Sequence, residues 1–198
     1  TPETEIKNCP PPLSTYGLQK LAAEYFCKGA NEQYGLPYTI IRPFNCVGIG
    51  EEKSICESEV KSGNIQLMMS HVLPDIINKV LKGQNPLRIL GSGNQVRCYT
   101  NGTDIARGIR MAVENEAAIN EDFNISTPIA TTVLELAALV WNILRPNEEF
   151  NYMSDDPYEY DVQKRIPDTS KAKEVLGFEA TVGLEESVRE VINYMEPF

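Results

Sequence analysis

Two residues near the start of the chain could exchange protons with an alcohol or a carbonyl. Tyr16 and Lys20 are four positions apart, a spacing that puts both side chains on one face of a helix. A free tyrosine ionises only at about pH 10 and is a poor base at neutral pH. A neighbouring ammonium favours the phenolate, so the two residues together could act as a general acid and base.

The same spacing also has an ordinary explanation. A tyrosine and a lysine one helical turn apart form a common pair on exposed helix surfaces, and the pair taken alone favours this ordinary explanation. The surrounding sequence therefore has to decide between them.

A helix and then a strand are predicted around the pair. Ser14 is a capping residue, and apolar residues recur at helical spacing over residues 15–34. The pair lies roughly opposite the apolar stripe of this helix. The apolar, β-branched residues 38–44 predict a buried parallel strand. Glycines and charges without a period predict a long loop over residues 46–65.

Helices and strands alternate in the rest of the chain, which indicates an α/β fold. An amphipathic helix is predicted from Met69 to Leu81. Thr132 and Glu135 form a capping-box pattern that opens another helix. Further strands are predicted at residues 87–90 and 123–126, and further helices at residues 103–115, 170–176 and 184–195.

Composition excludes several classes of protein. The formal net charge of -10 argues against nucleic acid or anionic lipid as the main partner. No apolar run reaches the roughly 20 residues of a membrane span. A single histidine excludes a His-rich zinc site, and no metal is expected. The scattered cysteines predict reduced thiols in a cytoplasmic protein: Cys9, Cys27, Cys46, Cys56 and Cys98.

Several motifs in a fixed order favour the catalytic interpretation of Tyr16 and Lys20. Tyr16-Gly-Leu-Gln-Lys20 is followed by the run Ile40-Ile-Arg-Pro-Phe-Asn45, then by Gly91-Ser-Gly-Asn-Gln-Val-Arg97, and near the end by Gln163-Lys-Arg-Ile-Pro-Asp168. From about residue 10 to its end, the chain resembles the NAD-dependent nucleotide-sugar epimerases and dehydratases of the extended short-chain dehydrogenase/reductase family.

The resemblance implies a fold and a division into domains. It implies the C-terminal portion of a Rossmann-type doubly wound sheet plus a small mixed α/β lobe that binds the substrate. Residues 1–50 would be the tail of the NAD-binding domain, and residues 51–198 would mainly form the lobe. Residues of about 98–126 would return to the Rossmann sheet.

The resemblance also implies roles for individual residues. Tyr16 would be the catalytic acid and base, Lys20 would also bind the nicotinamide ribose, and the backbone at Phe44 would meet the nicotinamide. A nucleotide-diphosphate sugar would be bound by Asn45, His71, Arg97 and Arg165, although an asparagine is more usual at the position of His71. The residues by themselves leave simpler roles open, since Asn45 could form a turn and the others could be solvated surface charges.

Parts of the family pattern are missing. No glycine-rich turn joins a first strand to a helix, and the catalytic serine or threonine that normally precedes the tyrosine would lie before Thr1. Tyr158 stands where many members have an arginine, three residues before Asp161.

We therefore expect a C-terminal fragment that is inactive alone and forms a homodimer or associates with the missing N-terminal half. The alternative is a non-catalytic module that binds sugar nucleotides or acts as a scaffold. The type of sugar, and the choice among epimerase, dehydratase and decarboxylase, stay open.

Overall fold

Helices alternate with strands through most of the chain. The computed structural model describes residues 1–51, 59–62, 65–68, 71–157 and 162–195. The helices are α1 (Thr15–Tyr34), α2 (Val72–Leu81), α3 (Gly102–Glu114), α4 (Val133–Leu144) and α5 (Leu184–Met195). The strands are β1 (Thr39–Pro43), β2 (Cys46–Val47), β3 (Glu59–Ser62), β4 (Ile65–Met68), β5 (Leu87–Leu90), β6 (Val96–Arg97), β7 (Thr100–Asn101), β8 (Glu121–Ile125), β9 (Thr131–Thr132) and β10 (Tyr152–Asp155).

The strands pair mostly in parallel. β1 pairs with β8, β2 with β7 and β5 with β10, all in parallel. β3 and β4, and likewise β6 and β9, form antiparallel pairs. The parallel pairs joined through helices confirm the predicted α/β class.

The prediction of one long loop over residues 46–65 is wrong in part. β2 begins inside residues 46–65, and β3 pairs with β4 as an antiparallel hairpin. Strands of two to four residues are too short to display a hydrophobic period. Met69, Cys56, Tyr158 and Asp161, which the sequence interpretation used, lie outside the residues that the structure describes.

Helix α1 has the predicted bounds but not the expected environment. The Ser14 hydroxyl accepts a hydrogen bond from Gly17 N at 3.0 Å, and Gly35 ends the helix in the left-handed conformation. No residue of α1 is buried. Part of its apolar stripe is largely exposed: Leu18, Tyr25 and Phe26. Within β1, only Ile40 is buried, so this strand is also less buried than predicted.

The core consists of two apolar clusters. One lies between α2, α4 and α5, with Trp141 fully buried at its centre. The capping box predicted at Thr132 and Glu135 is present and starts α4. The other cluster packs α3 and β8 against Phe178. In the described part of the chain, no helix is long and apolar enough to cross a bilayer.

A buried carboxylate fastens the C-terminal segment to α3. Asp104 accepts hydrogen bonds from Val182 N at 2.9 Å and from Thr181 N at 2.8 Å, and it pairs with Arg107 at 2.5 Å. Burial of the carboxyl raises its pKa, but these hydrogen bonds outweigh the burial and hold the pKa below its usual value. The folded state therefore favours the ionised form.

Replacing Asp104 with asparagine is expected to lower the free energy of unfolding at pH 7 by about 3 kcal/mol, because an amide cannot accept all of these bonds. A depressed folded-state pKa contributes stability above the unfolded pKa of about 3.9 and loses it as the pH falls through the folded value. The difference in the free energy of unfolding between wild type and variant should thus become smaller below about pH 4. Urea unfolding at pH 7 and pH 3 measures both effects.

The matched control is Asp156→Asn at an exposed aspartate. This change should alter the free energy of unfolding by less than about 0.5 kcal/mol. A loss at Asp104 that is equally small, or that does not depend on pH, would contradict the role assigned to its carboxylate.

Candidate active and ligand-binding site

Tyr16 and Lys20 are neighbours on the first two turns of α1. The Lys20 ammonium lies 5.6 Å from the centre of the Tyr16 ring, within the range of a cation–π contact. Tyr16 is 58% exposed, and Lys20 is also exposed. The phenol is therefore open to solvent on the face that it shares with the ammonium, and not enclosed in the apolar interior.

Helix α1 runs antiparallel to β1. At the helix end, Asn31 donates to the carbonyl of Leu36, just before the strand. Further back along the helix, Glu24 forms an ion pair with Arg42 near the end of the strand at 2.7 Å. Tyr16 precedes Glu24 by about two turns, or about 12 Å along the helix axis. This geometry puts the phenol beyond the carboxyl end of β1, which is where open parallel sheets form ligand crevices.

The chain continues from β1 directly into Phe44 and Asn45. Phe44 N donates to the carbonyl of Ile125 at 3.2 Å, so this backbone still follows β8. Asn45 turns the chain with a positive φ of 38°, a conformation that asparagine tolerates better than most residues. Its side-chain amide donates to the Cys98 carbonyl at 3.3 Å, and its own carbonyl accepts from Thr100 N. Asn45 therefore joins the end of β1 to residues 98–100.

Arg97 and Arg165 meet at one carbonyl oxygen although they are distant in sequence. The guanidinium of Arg97 donates to Val96 O at 2.9 Å, and the backbone N of Arg165 donates to the same oxygen at 3.0 Å. In addition, Val96 N donates a hydrogen bond to Gln163 O at 2.8 Å. The two arginine-bearing segments are thus held side by side at the edge of β6.

His71 lies at the start of α2 and contacts an acid. Its Nδ1 is 2.9 Å from Oε1 of Glu51, whose side chain is only 9% exposed. Gly48 N lies 3.4 Å from the other carboxylate oxygen. The turn that carries Glu51 follows β2 directly, and β2 pairs with β7.

Tyr99 is a buried tyrosine in the segment between β6 and β7. Tyr99 is 5% exposed, and in the described part of the chain its hydroxyl has no hydrogen-bond partner. Burial raises its pKa to about 12, while the charge of Arg97 lowers the pKa and that of Glu51 raises it. Both charges therefore act on one buried phenol.

The structure thus groups five of the predicted residues in two sets. Tyr16 and Lys20 contact each other on α1. The other set is linked through the segment that runs from β6 to β7: Asn45, Arg97 and Arg165. Of the remaining two, His71 contacts Glu51 in the turn after β2, and the backbone of Phe44 follows β8. Glu51 and Tyr99 were not singled out from the sequence. A buried carboxylate in a charged turn has no sequence signal, because its burial results from tertiary packing.

Comparison with known proteins gives a consistent family match. The model of the NAD-dependent epimerase/dehydratase family matches residues 1–126. A protein of Methanocaldococcus jannaschii, provisionally named as a UDP-glucose 4-epimerase, is 34% identical over 185 residues, which cover 93% of this chain and 54% of that protein. UDP-glucuronic acid decarboxylase 1 of Danio rerio is 27% identical over 92% of this chain and 39% of its own length.

Solved structures support the same fold. The UDP-glucose 4-epimerase of Thermotoga maritima, crystallised with UDP-glucose, superposes with a TM-score of 0.78 at 34% identity. The match covers 98% of this chain and 56% of the Thermotoga chain. This chain therefore spans about half the length of the proteins that it resembles, and its parallel pairs belong to a Rossmann-type architecture.

Proposed function

Because the chain belongs to the NAD-dependent epimerase/dehydratase family, we propose that it is the substrate-side part of an enzyme that alters the sugar of a nucleotide-diphosphate sugar. The observation that carries this proposal is the exposed Tyr16 phenol beside the Lys20 ammonium. The pair lies beyond the carboxyl end of β1, the strand that the chain leaves through Phe44 and Asn45.

In the proposed reaction, Tyr16 handles the proton of a sugar hydroxyl. Its phenolate oxygen accepts that proton as the hydroxyl is oxidised, and the phenol returns it when the sugar is reduced again. The Lys20 ammonium, which lies 5.6 Å from the centre of the Tyr16 ring, donates to a ribose hydroxyl. Bound NAD would supply the acceptor and later the donor of the hydride.

The residues present fit a nicotinamide nucleotide at one end only. Tyr16 and Lys20 offer a phenol and an ammonium to its ribose, and Phe44 offers backbone beside them. A glycine-rich turn for the pyrophosphate is not found in the sequence, so we propose that other residues of the complete protein hold that group. Residues 1–50 would be the tail of the cofactor domain, with residues of about 98–126 contributing to its sheet.

The substrate side would be formed by residues 51–198 together with Asn45. Arg97 and Arg165 bring positive charge to one edge of β6, where a diphosphate could bind despite the overall charge of -10. Asn45 would add a polar contact beside the diphosphate, and His71 would contact another part of the nucleotide-sugar. The named relatives act on UDP-sugars, which favours a UDP-sugar here as well.

The test compares the complete protein with the 198-residue chain. With UDP-glucose or UDP-glucuronic acid and NAD, the complete protein should form the 4-epimer or release carbon dioxide, as detected by chromatography. The chain alone should show little turnover, bind NAD poorly in calorimetry and self-associate in light scattering, because the apolar stripe of α1 is exposed. Tight NAD binding by a monomeric chain would contradict this proposal.

A non-catalytic module is the second candidate. The segments with Asn45, Arg97 and Arg165 are held in place by hydrogen bonds within this chain, so nucleotide-sugar binding need not depend on the cofactor domain. Binding of UDP-glucose by the complete protein without turnover of any UDP-sugar would favour this candidate over the enzyme.

A further inference from the structure

The imidazole of His71 is held by a partner from a different element. His71 precedes the first residue of α2, but its side chain does not cap the helix. Its Nδ1 instead lies 2.9 Å from Glu51 Oε1. The histidine side chain is 57% exposed and the glutamate side chain only 9% exposed, so one ring edge faces the protein and the rest of the ring is open.

The carboxylate of Glu51 is itself fixed in position. Gly48 N lies 3.4 Å from its second oxygen, and Glu51 N donates back to Gly48 O at 3.3 Å. This tight turn follows β2, which is paired with β7. The acceptor for the histidine is thus anchored beside the β2–β7 strand pair, and not on the helix that carries the histidine.

A carboxylate can only accept hydrogen bonds, so the hydrogen between the two groups must be on Nδ1. In a neutral imidazole with Nδ1 protonated, Nε2 has no hydrogen and acts as an acceptor. Such an acceptor cannot bond a phosphate oxygen, which offers lone pairs only. It can bond the hydroxyl of a ribose or a hexose.

We propose that Glu51 is a positioning residue that holds His71 as the Nδ1–H tautomer, so that Nε2 accepts a hydrogen bond from a sugar hydroxyl of the nucleotide-sugar. This inference rests on the proposed function for the identity of the ligand. The tautomer itself does not depend on any ligand.

The first test measures the tautomer in the 198-residue chain. His71 is the only histidine, so its ring nitrogens give one unambiguous set of signals in nitrogen-15 NMR. At alkaline pH, where imidazole is neutral, the wild type should show a protonated Nδ1. Glu51→Ala should lose this preference, and Glu186→Ala, at an exposed acid of α5, should keep it.

A wild type with the hydrogen on Nε2 would overturn the inference, and this result needs no variant to fold. A tautomer that is unchanged in a folded Glu51→Ala variant, as judged by circular dichroism, would also overturn it.

The second test measures ligand binding by calorimetry. Glu51→Ala and His71→Ala should each weaken UDP-glucose binding about fivefold, which is typical of one neutral hydrogen bond. The double variant should bind no more weakly than His71→Ala, because the glutamate acts through the histidine. Additive losses would contradict the positioning role, as would a loss of inorganic pyrophosphate binding in His71→Ala at alkaline pH.

The ligands also separate the possible hydroxyls. If the UDP affinity of His71→Ala is unchanged while its UDP-glucose affinity falls, the contact is to the hexose; if both fall, it is to the ribose. No binding of UDP-glucose by wild-type protein would overturn the proposed function and the ligand contact together. The NMR result would then decide on the Glu51–His71 pair by itself.

Discussion

Replacing Tyr16 with phenylalanine is expected to lower the turnover of the complete protein about 1,000-fold, the usual scale for losing a general acid and base. The change removes only the phenol oxygen. The ring that Lys20 approaches at 5.6 Å is retained, so the cation–π contact and the local helix should persist. Steady-state kinetics with UDP-glucose or UDP-glucuronic acid measures the loss, and calorimetry should show UDP-glucose binding changed by less than about twofold.

Tyr25 provides the matched control on the same helix. It is 59% exposed, close to the 58% of Tyr16, and Tyr25→Phe removes the same atom from the opposite stripe of α1. Turnover in this variant should stay near the wild-type value. A loss of less than about tenfold in Tyr16→Phe would mean that the phenol does not handle the proton.

Arg97→Ala is expected to weaken UDP-glucose binding about 50-fold, because charge-assisted hydrogen bonds to a diphosphate are among the strong ones. Arg97→Lys should recover only part of the affinity, since an ammonium keeps the charge but not the planar fork of donors. The dissociation constant can be measured by calorimetry on the 198-residue chain. The loss should be smaller at high salt, which screens the interaction.

Arg110→Ala is the control for charge alone, because Arg110 is an exposed arginine on α3. It removes the same formal charge away from β6 and should change the affinity by less than about twofold. Equal losses in the two alanine variants would indicate that Arg97 acts only through the overall charge of the protein.

Local signals in the sequence predicted several elements at their observed positions. The bounds of α1 follow from Ser14 at its start and Gly35 at its end, and α4 starts at the predicted capping box of Thr132 and Glu135. These devices involve residues that are close in sequence. The β3–β4 hairpin and the short β2 were missed because strands of this length depend on pairing with distant partners. The exposure of α1 was also missed, since periodicity predicts a stripe but not what covers it.

The candidate site divides in the same way. The four-residue spacing of Tyr16 and Lys20 predicted their contact from helical geometry alone. The meeting of Arg97 and Arg165 at Val96 O could not be derived from spacing, because it depends on the tail returning to β6. Their proposed roles came from the family resemblance. The pairing of Glu51 with His71 had neither kind of signal.

Helix α1 is attached to the rest of the chain by polar contacts and is apolar on its open side. Glu24 pairs with Arg42, and Asn31 donates to Asn120 Oδ1 at 3.1 Å, while Phe26 is 75% exposed. The two sides of this helix should therefore respond to salt in opposite directions. Sodium chloride screens the ion pair that fastens α1 inward, whereas sulfate strengthens the association of its outer face. The ionic composition of the solvent thus sets how firmly α1 is held by its own chain relative to whatever packs against it.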